Sequence, residues 1–375
     1  MAGQIIKRGD NTWLVRIFTG RDSQAKRRYI NKTIRGSKKD AHTYLNKTLA
    51  SISTGTFIEP IKLSVDEYLN KWLEMAAKPR LRERTFDDYF EKLVRYVRPI
   101  IGSQKLADVR SLDVQSVYSA MARRNLSPRT IRYTHAILGS AFKQAVRWNM
   151  LQRNPCEGVE LPRMERKEMQ ALSPEEVARF LAAAAEDDFN ALFAVAVATG
   201  MRPEEYLSLK WSDLDLEART VTVTRTLVWR KGGGWYFGEP KTARSRRTIT
   251  FPEPLARLLK THRARQAEIR LKAGADYANE NLVFATFEGT PLNIRNLTTR
   301  HFKPILKRAN LSKNFRLYDL RHTCATLLLA ANEHPKVVSE RLGHASITLT
   351  LDTYSHVLPS MQQAASDKLE RILYG

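Results

Sequence analysis

The chain has 375 residues, enough for two or three domains that each bury a sizeable core. Its 62 Lys and Arg against 39 Asp and Glu give a formal net charge of +23 on a chain that is 43% hydrophobic, which predicts a folded protein with a polyanionic partner. No apolar run is long enough to span a membrane, Met1–Asp10 lacks the apolar core of a secretion signal, and two cysteines make no disulfide framework. We therefore expect a soluble cytoplasmic protein with no metal site of its own.

The first sixty residues are basic and predict a small β-β-α unit. Two β-like runs are followed by a capping signal for a helix, Ser37 with Asp40 three positions later. The two runs are Thr12–Phe18 and Arg27–Ile34. Glycine and proline residues over Gly55–Pro60 predict a linker, so we assign residues 1–58 to a first domain.

Residues 62–160 have a helical pattern throughout and are assigned to a second, all-helical domain. It begins at a capping box formed by Ser64 and Glu67, and Ser127 with Pro128 opens its last helix. The later predicted helices are Arg84–Val97, Leu112–Arg124 and Pro128–Trp148. The last of these has a basic face that could meet phosphates, although a solvated face is the plain alternative. Its candidate contacts are Arg129, Arg132 and Lys143.

The charged stretch Leu161–Gln170 contains a proline and predicts a second linker, so residues 171–375 form the third assigned domain. Ser173 starts a capping box that leads into helices reaching Thr199, with a break near residues 187–188. Short β-like runs then predict a small antiparallel sheet before a mainly helical remainder. The runs are Thr220–Thr226, Trp235–Phe237 and Arg247–Phe251. The tail Leu358–Tyr374 predicts an amphipathic helix.

Four short segments of the third domain carry residues suited to chemistry on a phosphodiester. They are ATGMRPEEYLSL around Arg202, EPKTARSRRTI around Lys241, LYDLRHTCAT around Arg321, and ERLGHASITLTLDTYSHV with His344 and Tyr354. In this order and spacing they resemble the tyrosine recombinase family. The resemblance covers roughly residues 172–357 and extends more loosely to the helical domain before them. Nine residues separate His344 from Tyr354, the interval at which this family places a histidine or tryptophan before its nucleophile.

Attack on a phosphodiester without a metal needs fixed positive charge at the non-bridging oxygens, and a guanidinium donates two parallel hydrogen bonds to them. The resemblance implies that Arg202 and Arg321 hold the scissile phosphate and that His344 donates a hydrogen bond to it. It also implies that Tyr354 attacks phosphorus and leaves a 3′-phosphotyrosyl bond and a free 5′-hydroxyl. One ester replaces another of similar energy, so we expect no metal, ATP or other cofactor.

Four further positions in these segments have implied or alternative roles. Lys241 matches the family's hairpin lysine, the implied general acid for the departing 5′-oxygen, although a hairpin that only touches phosphates is the alternative. Tyr318 stands where many members have histidine; it can donate a hydrogen bond but cannot act as a base at neutral pH. Glu205 could orient the first arginine or be a surface glutamate. We interpret His322 as a packing or orienting residue.

The N-terminal unit resembles the arm-type DNA-binding domain of phage and conjugative-transposon integrases, and the helical domain resembles their core-binding domain. The predicted fold class is therefore multidomain α+β, with a mainly helical catalytic domain containing a small antiparallel β-sheet. The resemblance implies a lambda-integrase-like recombinase that integrates and excises a mobile element, such as a viral genome, in the nucleoid of a bacterial host. Its implied partners are double-stranded DNA at core and arm-type sites, a host DNA-bending protein and an excisionase. Further candidate DNA contacts are Arg27, Arg28 and Arg244.

The resemblance also implies a homotetramer on two duplexes, with the tail helix docked on a neighbouring protomer; packing of that helix on its own domain is the alternative. Three other classes of protein share part of the pattern. They are a cellular dimer-resolution tyrosine recombinase, a DNA-binding regulator that never cuts, and a type IB topoisomerase. A dimer-resolution recombinase usually lacks residues like those before Phe57. A regulator would form no covalent adduct through Tyr354, and a topoisomerase would nick DNA without strand exchange.

Overall fold

The computed structural model describes residues 3–21, 24–54, 57, 62–165, 169–240, 245–354 and 359–375, with backbone alone for 359–365. The chain divides into two compact units, Met1–Arg166 and Lys167–Gly375. The boundary lies within the stretch predicted to be the second linker. The further division of the first unit into two domains stays a prediction. No helix within these described ranges is both long and apolar enough to cross a membrane.

The chain begins with a three-stranded antiparallel sheet in the order β1-β2-β3, covered on one face by helix α1. These elements are β1 (Gly3–Gly9), β2 (Thr12–Arg21), β3 (Arg27–Arg35) and α1 (Lys38–Ser53). Val15 and Ile17 of β2 pack against Ala41 and Leu45 of α1 in a small apolar core. The prediction of two strands is wrong by one. β1 lacks a recognisable strand pattern because its sequence, GQIIKRG, places only two apolar residues among glycines and charges.

The predicted capping signal of α1 is confirmed. The Ser37 hydroxyl accepts a hydrogen bond from the Asp40 backbone N–H, while the Asp40 carboxylate accepts one from the Ser37 backbone N–H at 2.8 Å. These two bonds satisfy donors that a helix start otherwise leaves unpaired. Of the predicted linker Gly55–Pro60, every residue but Phe57 lies outside the described residues.

The helical segment of the first unit surrounds an apolar core that includes Trp72, Tyr68 and Phe142. Its α-helices are α2 (Val65–Trp72), α3 (Glu83–Lys92), α4 (Arg98–Ile101), α5 (Ser111–Arg123) and α6 (Pro128–Arg147). Two π-helical turns, Leu73–Ala77 and Leu93–Val97, extend α2 and α3. The predicted caps at Ser64 and Ser127 are confirmed, since each hydroxyl accepts from a backbone N–H three residues later.

The second unit is mainly helical with two small sheets. Its helices are α7 (Pro174–Ala184), α8 (Asn190–Thr199), α9 (Pro203–Tyr206), α10 (Glu253–Ala273), α11 (Ile294–Leu297), α12 (Lys303–Arg308), α13 (Asp319–Ala330), α14 (Pro335–Leu342), α15 (Ile347–Tyr354) and α16 (Pro359–Leu373). Its strands are β4 (Leu214–Asp215), β5 (Thr220–Val223), β6 (Thr226–Trp229), β7 (Trp235–Gly238) and β8 (Arg247–Thr250). The predicted helix start at Ser173 and the break before Asn190 are confirmed.

The run predicted as one strand, Thr220–Thr226, is divided between two sheets. β5 lies between β4 and β8, whereas β6 pairs with β7 in a separate two-stranded sheet. The chain passes from β5 to β6 through residues 224–225, which are held by side chains outside the strands. Thr224 and the Arg225 guanidinium both donate to the Asp213 carboxylate, and the Ser208 hydroxyl donates to the Arg225 carbonyl at 3.0 Å. Because these contacts join residues far apart in sequence, no local sequence pattern predicts the break between β5 and β6.

Helix α8 forms the centre of the second unit. It is apolar on nearly all sides, and Leu192, Phe193 and Ala196 are buried. α13 packs against both α8 and α14, and α14 also contacts β8 and α15. The end of α8, the start of α13 and the end of α14 therefore lie close together, and these three element ends carry the candidate functional residues.

Candidate active site

The first arginine motif lies where α8 ends and α9 begins. Gly200 ends α8 in the left-handed region with φ 64°, a conformation that glycine adopts without steric cost. Arg202 then precedes α9, and its Nη1 donates to Glu205 Oε1 at 2.7 Å while its backbone N–H donates to Oε2 at 2.9 Å. The Arg202 side chain is 29% exposed, whereas that of Glu205 is 1% exposed. Glu205 is thus a buried residue that orients Arg202, and the surface alternative is wrong.

The second arginine is almost wholly buried in the first turn of α13. Arg321 is 2% exposed, and its Nη1 and Nη2 donate to the carbonyls of Gly200 at 2.8 Å and Leu342 at 2.7 Å. Burial and the nearby Arg202 guanidinium lower the pKa of Arg321 to about 10, which still leaves it protonated at neutral pH. Two backbone carbonyls therefore fix the direction of this guanidinium.

Helix α14 ends in a glycine turn that positions His344. Gly343 has φ 65°, and the His344 backbone N–H donates to the Ser339 carbonyl at 3.0 Å, which closes the turn. His344 Nδ1 lies 2.7 Å from the Thr350 hydroxyl. Burial and the neighbouring arginines, Arg321 first, lower the pKa of His344 to about 3. When Thr350 donates to Nδ1, the ring proton lies on Nε2, and the uncharged imidazole can donate one hydrogen bond to a phosphate oxygen.

Tyr354, at the end of α15, is 1% exposed and packs against Leu329, Val338 and Leu342. Its hydroxyl lies 2.8 Å from Nδ1 of His322, the residue after the second arginine. Burial raises the pKa of Tyr354, and the charge of Arg321 opposes this only in part. Burial also lowers the pKa of His322 to about 4, so its imidazole is uncharged at neutral pH. The candidate nucleophile thus faces inward and is paired with a neutral histidine.

Tyr318 lies at the edge of the same cluster. It is 38% exposed, its ring centroid is 5.4 Å from that of His322, and it interacts electrostatically with Arg202. Asp319, the first residue of α13, is 1% exposed and holds the Arg316 guanidinium through both carboxylate oxygens. Tyr318 is therefore fixed at a helix start with its ring partly open to solvent.

The structure brings most of the predicted site residues into one cluster. Lys241 and Arg244 lie outside the described residues, so their roles stay predictions. The predicted residues that cluster are Arg202, Glu205, Tyr318, Arg321, His344 and Tyr354. Arg247, which also contacts Glu205, is not recognisable from the sequence, because several arginines follow Lys241 and only the fold distinguishes among them.

The five other predicted DNA contacts belong to the first unit and have unequal surroundings. Arg129 and Lys143 are exposed on α6, whereas Arg132 donates its Nε–H to the Pro162 carbonyl at 2.9 Å. Arg27 and Arg28 are both exposed in β3. Strand alternation places Arg28 on the same side as Ile30, which is buried against α1, and Arg27 on the opposite side. Only Arg27 of this pair shares the uncovered face of the sheet.

Comparison with known families matches most of the chain. Residues 170–361 match the model described as "Phage integrase family", and residues 64–122 match "Phage integrase, N-terminal SAM-like domain". The "Tyrosine recombinase XerC-like" protein of Caldanaerobacter subterraneus subsp. tengcongensis is 31% identical over 97% of this chain and 97% of its own length. The ICEBs1 integrase of Bacillus subtilis is 31% identical over 66% of this chain and 67% of its own.

Solved structures share the fold at lower identity. The Tn1549 transposon integrase in complex with transposon right end DNA has a TM-score of 0.70 and 23% identity, covering 82% of this chain and 99% of that one. A lambda integrase tetramer bound to a Holliday junction has a TM-score of 0.56 and 16% identity, covering 93% of this chain and 94% of that one. The chain and these two integrases therefore share a fold.

Proposed function

The chain belongs to the phage integrase family of tyrosine recombinases, a class of DNA strand-transferring enzymes, and from this premise we propose that it is a site-specific integrase acting through a covalent Tyr354–DNA intermediate. In this proposal the protein cleaves DNA at two attachment sites, rejoins the strands in exchanged order, and thereby integrates and excises a mobile element. It uses neither a metal ion nor ATP.

One observation carries the proposal: two guanidiniums and a neutral imidazole converge on the end of α14, with Tyr354 on the next helix. Arg321 Nη2 donates to the Leu342 carbonyl at 2.7 Å and Arg202 Nη2 lies 3.5 Å from the Gly343 carbonyl, while His344 follows directly. Cationic donors held by protein carbonyls are already oriented before a phosphate arrives. Such preorganised charge stabilises the negative charge that develops on non-bridging oxygens in the transition state.

The proposed step exchanges one phosphoester for another. The Tyr354 oxygen forms a bond to phosphorus, the bond from phosphorus to the 5′-oxygen breaks, and the 5′-oxygen takes a proton from Lys241. The proton of the Tyr354 hydroxyl passes to solvent water as the new bond forms. Since no high-energy bond is consumed, a 5′-hydroxyl from a second duplex can reverse the step. That reversal is strand exchange.

DNA binding has to rearrange the α15 region before this step. With 1% of its side chain exposed and its hydroxyl paired to His322, Tyr354 cannot touch a phosphate in the state described here. We infer that the free protein holds its nucleophile inside and that assembly on DNA turns it toward Arg202 and Arg321. Premature cleavage of non-target DNA is thereby limited.

We further propose that residues 1–58 bind distal arm-type sites, while residues 62–160 and 171–375 clamp the crossover site. The uncovered face of the N-terminal sheet supports the first assignment because it combines Arg16, which lies 4.0 Å from the centroid of the Tyr29 ring, with Arg27. Deleting residues 1–56 should abolish integration and spare cleavage of a short core duplex. Unchanged integration by the truncated protein would contradict the assignment.

A tetramer on two duplexes fits the tail helix. The side chains of Leu369, Ile372 and Leu373 on α16 are exposed, as is that of Tyr374 directly after it, so packing of these four on their own domain is not observed among the described residues. The lambda integrase tetramer bound to a Holliday junction is an assembly of the same fold. We propose that α16 docks on a neighbouring protomer. Removing residues 359–375 should then abolish tetramers on DNA without abolishing DNA binding.

The test of the central proposal is detection of the covalent intermediate. The probe is a duplex spanning the joined ends of the DNA element that encodes the chain, prepared as a set nicked at successive positions so that a short 5′-hydroxyl strand can diffuse away. With EDTA present and ATP absent, we expect an adduct stable on a denaturing gel. Tyr354→Phe should form none, and the matched control Tyr277→Phe, at a tyrosine outside the four motifs, should still form it. DNA binding without an adduct would indicate a regulator instead.

A further inference from the structure

Three consecutive carbonyls at the end of α14 each accept a hydrogen bond from a different arginine. The Arg341 carbonyl accepts from Arg247 Nε at 2.6 Å, the Leu342 carbonyl from Arg321 Nη2 at 2.7 Å, and the Gly343 carbonyl from Arg202 Nη2 at 3.5 Å. The last carbonyls of a helix have no partner within it and carry the negative end of its dipole. This turn is therefore an acceptor for three cations, and only two of them have a proposed role at the phosphate.

Arg247 also holds the carboxylate that orients Arg202. Its Nη2 donates to Glu205 Oε2 at 2.8 Å and its Nη1 lies 3.3 Å from Oε1. The same carboxylate accepts from Arg202 Nη1. Burial would raise the pKa of Glu205, but the hydrogen bonds and charges of Arg247 and Arg202 bring it below its usual value, so the carboxylate is ionised. Arg247, Glu205 and Arg202 thus form a continuous chain of charge-assisted hydrogen bonds.

The surroundings of Arg247 differ from those expected of a phosphate ligand. Its side chain is 7% exposed, and Nη1 also donates to the Ser245 carbonyl at 3.0 Å. The guanidinium is therefore engaged with the protein on all three nitrogens. Arg202, at the other end of the chain of hydrogen bonds, is 29% exposed.

We propose that Arg247 is a positioning residue, which fixes Glu205 and the end of α14 and thereby sets the direction of Arg202 toward the scissile phosphate. The inference rests on the proposed function. Arg247 opens β8, the strand that follows the segment containing Lys241, so the same side chain links that strand to the His344 turn. A displacement of about 1 Å in a group that positions a reacting centre can cost about 100-fold in rate.

A purely structural role is the competing explanation. Buried ion pairs are often no more stabilising than well-packed apolar residues of similar size, whereas removing one partner leaves a buried charge unpaired. Stability measurements alone therefore cannot separate positioning from folding. The separation requires the rate of the chemical step, measured beside DNA affinity.

The experiment measures single-turnover adduct formation on the nicked duplex together with affinity for it. For Arg247→Met we expect about a 100-fold slower adduct with affinity within about threefold of the wild type. Arg247→Lys should be slowed similarly, because an ammonium cannot donate at once to both Glu205 oxygens and the Arg341 carbonyl. In an Arg202→Lys background, adding Arg247→Met should slow the reaction by less than threefold, since the direction of the Arg202 guanidinium is already lost.

The matched control is Arg225→Met, which removes another partly buried guanidinium, paired with Asp213, from the same compact unit. It should lower the melting temperature without slowing adduct formation. If Arg247→Met does not fold, Glu205→Gln breaks the same connection with little change in volume and is expected to show the same loss of rate. Three results would overturn the inference while leaving the proposed function intact. The first is a wild-type rate of adduct formation in Arg247→Met or Glu205→Gln. The others are a double variant whose rate falls by the product of the two single effects, and an Arg225→Met variant whose rate falls as much as that of Arg247→Met. Absence of an adduct from the wild type would overturn both the inference and the proposed function.

Discussion

Replacing Arg321 with lysine separates the geometry of the second arginine from its charge. Lysine keeps the positive charge but can reach only one of the two carbonyls, of Gly200 and Leu342, that hold the buried guanidinium. Leaving the other carbonyl unpaired in the interior should cost about 1–3 kcal/mol of folding free energy. Loss of one oriented donor at the phosphate should cost about 3–4 kcal/mol in the transition state, or roughly 100- to 1,000-fold in the rate of cleavage.

Single-turnover adduct formation on the nicked duplex measures the rate, and urea unfolding measures the stability of Arg321→Lys. Affinity for DNA should change little because the charge is retained. The control is Arg308→Lys, since Arg308 also donates to a backbone carbonyl, that of Ala183, but is exposed at the end of α12 and lies outside the four motifs. If Arg321→Lys cleaves within about threefold of the wild type, the two carbonyls do not set the geometry of the reaction and the reasoning fails.

Three smaller predictions concern stability near the site. In a double-mutant cycle of His322→Ala and Tyr354→Phe, urea unfolding should give a coupling of about 1 kcal/mol, and strict additivity would contradict the 2.8 Å contact. Because burial lowers the folded pKa of His322 to about 4, the unfolded chain binds more protons below pH 6.5. The free energy of unfolding therefore falls as the pH drops from 6.5 toward 4, by up to about 3 kcal/mol from this residue. Urea unfolding of His322→Asn at several pH values should show a smaller dependence of the free energy of unfolding on pH. Gly200→Ala should lower the free energy of unfolding by more than about 1 kcal/mol, because φ is 64° and the new Cβ would lie 2.7 Å from Leu342 Cδ2. The control is Gly158→Ala, where φ is 77° but no atom beyond the chain neighbours lies within 4 Å of the new Cβ, so the difference between the two variants gives the cost of the steric contact.

Helix starts were predictable because their signals are local. Ser64 and Ser173 each pair with a glutamate three residues on, and both capping boxes form as the pattern indicates. Strands were less predictable, since β1 has only two apolar residues and pairs with β2 through its backbone. The break after β5 depends on Asp213, which holds Thr224 and Arg225 from outside the strand.

The order of the motifs was enough to select the residues that converge, but not their contacts. Arg202 and Gly343 are 141 positions apart in sequence, and Arg247 and Arg341 are 94 apart. No local pattern encodes pairs at such separations. The assignment of His322 as packing or orienting was correct in kind, yet the hydroxyl it contacts belongs to a helix 32 positions later.

The balance of charge around α14 supports the proposed role of this site in binding a phosphate. Arg202 and Arg247 share one buried carboxylate, that of Glu205, and Arg202 lowers the pKa of Arg321 beyond the effect of burial. The same cations lower the pKa of His344. An arriving phosphodiester would supply the missing negative charge, relieve the repulsion among the guanidiniums and raise the pKa of His344. Neutralisation of these guanidiniums by the phosphate would therefore both favour DNA binding and strengthen the hydrogen-bond donors that stabilise the transition state.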